Sequence, residues 1–254
     1  MKEPEIVPDK LSDPINFKTI ALIIGSMIGL HIWINFTNDP RIIVYSWSMG
    51  VPFAIIVFSF ITAKKYFGTL IYSKAFKFLG ISFVGIFFGE LIYFIYEELL
   101  GLDPYPSIGD AFYFMFYPMI ILFLRINIRF FSPKHSKIDA IIVLGIPITL
   151  SGIYVILATP NEFSFDFGFG LASIIATTTT LGFAIQAVRT FRGGVIQTTW
   201  ILFVIGALSI AIGDGWYYYL EIFEGYSLEH PVNFFWYVGY LFVLYSLVKH
   251  KKTL

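Results

Sequence analysis

The sequence predicts an all-α polytopic membrane protein, with eight transmembrane helices arranged as two parallel four-helix repeats. Three observations carry that expectation. The composition is 57% apolar and 13% charged, with a mean hydropathy of +0.77, whereas soluble domains carry roughly 25% charge. Eight separate stretches reach the about 20 apolar residues that a helix needs to cross the hydrocarbon core. Polar and glycine positions of the first half recur in the second. An ordinary soluble enzyme is thereby excluded, and so is a disordered chain, which requires low hydrophobicity. A net charge of zero gives no basis for a nucleic-acid partner. With no cysteine, disulfides, thiolate metal sites and iron–sulfur clusters are excluded.

Residues 1–16 form a polar N-terminal segment with four acids and two lysines. No small-residue cleavage site follows the first apolar run, so that run is expected to stay as an anchor. Span one, 17–36, holds His31 and Asn35 on one face, which reads as a helix–helix hydrogen bond. Span two, 42–63, is interrupted by Gly50 to Pro52. Span three, 76–97, places Glu90, Tyr93 and Glu97 at i, i+3 and i+7 on one face. Before span four, 108–126, Pro104 and Pro106 block helix and Ser107 is placed to cap it. Asp110 then falls at the third helical position, near the positive dipole end, followed by Tyr113 and Tyr117.

A cytoplasmic linker, 127–138, leads to span five, 139–158, which contains Gly145 to Pro147. Span six, 168–188, carries Thr177 to Thr180, whose hydroxyls are expected to bond back to their own helix. Span seven, 195–220, brings Asp214 and Tyr217, with Glu221 at its end. Span eight, 232–248, brings Asn233, Trp236 and Tyr240, before a tail at 249–254. The repeats are thus 17–126 and 139–248. No lysine lies mid-span for a Schiff base, His31 is the one histidine within a span, and no phosphate loop, HExxH or GxSxG occurs. No catalytic residue, metal or cofactor is expected.

Charge sets the orientation. Loops after even-numbered spans, with the tail, hold thirteen lysines and arginines, including Lys134, Lys251 and Lys252, against one acid, Asp139. The opposite side holds twelve acids, including Glu162 and Glu224, against Arg41. The positive-inside rule then places both termini in the cytoplasm of a cell-membrane protein.

The duplication is visible at an offset of 124, where 65–101 aligns with 189–225 without a gap. Gly89 and Glu90 fall on Gly213 and Asp214, Tyr93 on Tyr217, Glu97 on Glu221 and Gly101 on Gly225. One residue fewer in the next loop places Asp110, Tyr113 and Tyr117 on Asn233, Trp236 and Tyr240. Four spans return a chain to its starting side, so the halves share one orientation about an axis along the membrane normal.

Depth singles out Glu90 and Asp214. Glu90 lies about ten residues before its span ends, or roughly 15 Å. A carboxylate there costs about 2.5–3.5 kcal/mol and ordinarily faces a bundle interior or cavity. One reading is an outward pocket in which Glu90, Tyr93, Glu97, Asp110, Tyr113, Asp214, Tyr217, Glu221, Asn233 and Trp236 bind a small ligand or cation. Another is that the acids only bond tyrosine or tryptophan and join helices, at about 0.6 kcal/mol per contact. Proton transfer is a third. The outer cluster Trp216 to Tyr219 with Trp236, Tyr237 and Tyr240 also fits an interfacial aromatic belt.

The segment GELIYFIYEELLGLDPYPSIGDAFYFMFYP, 89–118, resembles a membrane module found at the N-terminus of bacterial diguanylate cyclase/phosphodiesterase and sensor kinase proteins. There a Gly-Asp helix leads to a PFPS-x-AD-x-x-Y loop and a GYP helix. Pro104, Pro106, Ser107, Asp110, Tyr113, Tyr117 and Pro118 match that pattern here. The stretch GDGWYYYLEIFEG through NFFWYVGYL is similar to the module's second repeat. Gly109 replaces its alanine, Glu90 its aspartate, and Phe116 the glycine before Tyr117. The resemblance implies an eight-span sensory role. No output domain follows Leu254, so the signal is expected to pass to a separate signalling or membrane-complex subunit. Two alternatives stand beside it: a small-solute or cation transporter, as duplicated bundles with midplane acids are common there, and an intramembrane lipid-acting enzyme, of which Gly213-Asp214 is a weak echo.

Overall fold

A computed structural model describes residues 15–69, 71–132, 136–158, 164–194, 196–223 and 225–253, the last three by backbone alone. Most of the N-terminal segment, Lys134, His135, Glu162, Glu224 and the side chains of Lys251 and Lys252 lie outside the described residues. The protein is all-α, with no strand among the described residues, and has eight helices long and apolar enough to cross a membrane. It is an integral membrane protein. The helices are α1 (Phe17–Phe36), α2 (Arg41–Lys65), α3 (Tyr72–Phe94), α4 (Ile108–Phe131), α5 (Lys137–Ala158), α6 (Phe165–Thr190), α7 (Gln197–Phe223) and α8 (Val232–Thr253). A π-helical turn, Ile95–Leu100, extends α3.

Local chemistry explains the helix ends. The Asn16 side chain accepts from the N–H groups of Lys18 and Thr19, and Ser164 from that of Phe167. Ser107 and Asp110 form a capping box at the start of α4. The π turn stops at Gly101, whose φ of 63° favours a residue without Cβ. Two helices outrun their expected spans. α4 continues into the 127–138 linker, where Asn127 is buried and bonds back to the Phe123 carbonyl at 2.8 Å. α8 continues through the tail to Thr253, since no glycine or proline interrupts 249–253.

Packing puts six helices at the centre. α2, α3 and α4 pack in sequence, as do α6, α7 and α8, and the two sets meet along α4–α6 and α2–α8. The outer two helices differ: α5 packs on α6, whereas α1 packs on α8. Asn35 secures α1, donating to the His31 carbonyl at 3.0 Å and to the Glu229 carbonyl at 3.3 Å.

The two ends of the bundle are unlike. One half is filled by aromatic rings. Trp200 stacks on Phe191 at 4.8 Å and on Phe123 at 5.7 Å, Phe131 meets Phe191 at 5.0 Å, and His250 meets Phe76 at 4.9 Å. Below this slab Leu79, Phe83, Ile120, Leu124 and Val243 are fully buried. The other half, toward the loops at 101–107 and 225–231, is hollow.

Candidate functional site

The hollow is a cavity of about 630 Å³, within the roughly 300–1,000 Å³ usual for small-molecule sites. Its mouth is bounded by Gly101 to Tyr105 and Gly225 to Leu228, and its floor by Ile86, Phe116 and Ile210. Glu90, Tyr93, Glu97, Asp110, Tyr113, Asp214, Tyr217, Glu221, Asn233 and Trp236 all line it. The walls hold six carboxylates and ten of the sixteen tyrosines, and no lysine, arginine or histidine among the described residues.

The deepest acids come from α3 and α7, and each follows a glycine. A Cβ on Gly89 would lie 2.7 Å from the Tyr113 ring, and one on Gly213 would lie 2.7 Å from the Trp236 ring. The glycine lets an aromatic side chain from the next helix lie flat against the acid-bearing helix. That contact sets the acid's partner. Trp236 Nε1 donates to Asp214 Oδ1 at 3.0 Å, and Tyr117 OH donates to Oδ2 at 2.9 Å. Thr177, on α6, adds a hydroxyl to the same carboxylate. Tyr113 and Ser48 flank Glu90. Both acids keep accessible surface, which is cavity wall.

The shallower acids are also paired. Tyr93 OH donates to Asp110 Oδ1 at 2.6 Å, while the Ser107 N–H donates to Oδ2 at 2.6 Å. Asp110 therefore caps its own helix and ties it to α3. Tyr93→Phe is expected to lower stability by about 1–2 kcal/mol, since a bond to a charged group is lost; thermal unfolding in detergent measures it. Glu97 accepts from Tyr45 of α2. Its position in the π turn shifts it from the i+7 register with Glu90 and turns it toward α2. Glu221 neighbours Tyr217. Asn233 accepts from Tyr226 at 2.9 Å and donates to the Leu228 carbonyl at 2.7 Å, so it shapes the mouth loop.

Charges at the rim are spent on one another. Arg41 reaches Asp39 at 2.7 Å and Glu98 at 3.0 Å. The hydrogen bonds from Arg41 hold the Asp39 carboxyl below its ordinary range. In the loops, burial pushes the Tyr105 and Tyr226 phenols well above theirs, so both remain protonated donors.

Several wall residues escape a reading of the sequence. Tyr45, Ser48, Tyr105 and Tyr226 lie outside the positions singled out there, whereas Tyr218 and Tyr237 belong to the aromatic cluster read as an interfacial belt. Tyr117 and Tyr240 belong to the matched stripes and reach the cavity as well. The threonine run behaves as expected for Thr178 and Thr180, which bond back to Ile174 and Ala176. Among the described residues no three acidic or imidazole groups converge as a metal site would require. Comparison with protein-family models, with curated proteins and with solved structures returns no match.

Proposed function

We propose that this chain is a membrane-embedded ligand-binding module of the sensory kind, whose cavity opens to the outside of the cell and takes a small cationic ligand. One observation carries the reading: a single chamber gathers the deep acids of both halves among tyrosines and admits no basic side chain. Opposite charge and aromatic faces both attract cations. The basic loops support a cytoplasmic placement of the ends remote from the mouth. The matched pairs Gly89–Tyr113 and Gly213–Trp236, and the matched seams α4–α6 and α2–α8, support descent of the halves from one four-helix unit. Relay of the signal to a separate subunit rests on the resemblance of 89–118 to sensory modules.

The test is thermal unfolding of the protein in lipid nanodiscs against matched sets of small organic cations, neutral compounds and anions. A bound ligand raises the midpoint by mass action. Cations are expected to raise it selectively. A midpoint unmoved by all cations, or raised only by anions, overturns the reading.

A further inference from the structure

The six carboxylates of the cavity are not equivalent. Asp214 is held by Tyr117 and Trp236, Asp110 by Tyr93 and the Ser107 N–H, and Glu97 by Tyr45. These three are already partnered within the chain, and Asp103 and Glu221 lie shallower, toward the mouth. Glu90 has Ser48 and Tyr113 as its hydrogen-bonding neighbours, and its remaining surface faces the chamber. A carboxylate at that depth is hydrated only through the chamber, between low-dielectric walls, at a cost relative to bulk water. A cation in the chamber offsets that cost.

The surroundings of Glu90 narrow the cation. Five tyrosines lie within electrostatic reach of it: Tyr45 on α2, Tyr113 on α4, Tyr226 in the mouth loop, and Tyr237 and Tyr240 on α8. A hard metal ion requires several oxygens converging on one point, and the acids here are dispersed over the walls. Aromatic rings around one carboxylate instead suit an alkylated nitrogen cation, which they attract through their faces. Ile86, Phe116 and Ile210 make the floor apolar, which suits a hydrocarbon body.

We infer that Glu90 anchors an organic ammonium ion, a monocation with an apolar body, whose nitrogen sits among the tyrosines around Glu90 and whose body rests on the Ile86–Phe116–Ile210 floor. This rests on the cavity being a ligand site, and it names the ligand class and the one charged group that selects it. Asp214 then serves as an internal latch and not as the counter-ion.

The experiment uses the full chain in nanodiscs, with tryptophan fluorescence reporting from Trp236 in the cavity wall. The probes are 2-phenylethylammonium, phenyltrimethylammonium, the neutral 2-phenylethanol, and magnesium chloride at matched ionic strength. Both ammonium ions are expected to bind at least about tenfold more tightly than the alcohol, and magnesium is expected not to displace them. Glu90→Gln is expected to weaken the ammonium ions by about thirtyfold while changing the alcohol by less than about threefold. Tyr226→Leu, which removes an aromatic face on the Glu90 side of the chamber, is expected to weaken the ammonium ions by about fivefold. It decides the matter should Glu90→Gln fail to fold. Equal binding of alcohol and ammonium overturns the ligand class and leaves the cavity a ligand site. Undiminished ammonium binding in Glu90→Gln, or in Tyr226→Leu where Glu90→Gln does not fold, overturns the placement at Glu90. Absence of binding by every probe overturns this inference and the ligand-site reading together.

Discussion

Gly213→Leu is expected to destabilise the bundle by about 3–5 kcal/mol, the sum of overpacking and a lost charged hydrogen bond. A Cβ at Gly213 already lies 2.7 Å from Cδ1 and Nε1 of Trp236. The indole cannot move away freely. It is bonded to Asp214 at 3.0 Å and packs against Tyr217 at 5.5 Å and Tyr226 at 6.2 Å. Moving it breaks the bond and opens the cavity wall. Gly29→Leu is the control, because nothing lies within 4 Å of a Cβ at Gly29 on α1. Equilibrium unfolding in mixed micelles compares the two. Equal midpoints for both variants would contradict the close approach of α7 and α8.

Asp214→Ala is expected to cost about 3–4 kcal/mol, as Tyr117 and Trp236 lose their acceptor at about 1–3 kcal/mol each and the Thr177 hydroxyl loses its carboxylate neighbour. Tyr117 is 7% exposed, so its hydroxyl has little access to water. Asp214→Asn keeps one acceptor oxygen and is expected to cost less than half as much. A double-mutant cycle with Tyr117→Phe isolates the pair and is expected to give a coupling of about 1–3 kcal/mol. A coupling of zero would show that the two residues do not share a bond. The bond joins α4 to α7, elements 97 residues apart in sequence. Its loss thus acts on the junction between the halves and not on one helix.

The eight helices are legible because an apolar run of membrane length has few other uses. The ends of α4 and α8 are less so, since Asn127 and the lysines near 250 look like loop composition yet sit on helices whose bonds are never interrupted. The wall of the cavity divides in the same way. Glu90, Asp214 and their aromatic neighbours are found through the repeated glycine–acid pattern, because the pattern is itself the contact: a glycine to admit a ring, then an acid within reach of one. Tyr45 carries no such mark. It is one tyrosine in an apolar helix, and its role depends on the π turn that swings Glu97 toward α2. Tyr226 reaches the chamber only through the course of the 225–231 loop, which no local pattern encodes, and Tyr237, one of an outer aromatic cluster, faces it through the pitch of α8 against α2.

The contrast between the hollow half and the aromatic slab has an electrical consequence. Filled with water, a chamber of 630 Å³ holds on the order of 20 molecules at about 30 Å³ each. Such a vestibule is a conductor in contact with the solution at its mouth, whereas the packed half, from Phe116 to His250, is an insulator. The transmembrane potential therefore falls mainly across the insulating slab. A charge at Glu90 stands near the potential of the solution at the mouth and responds weakly to voltage.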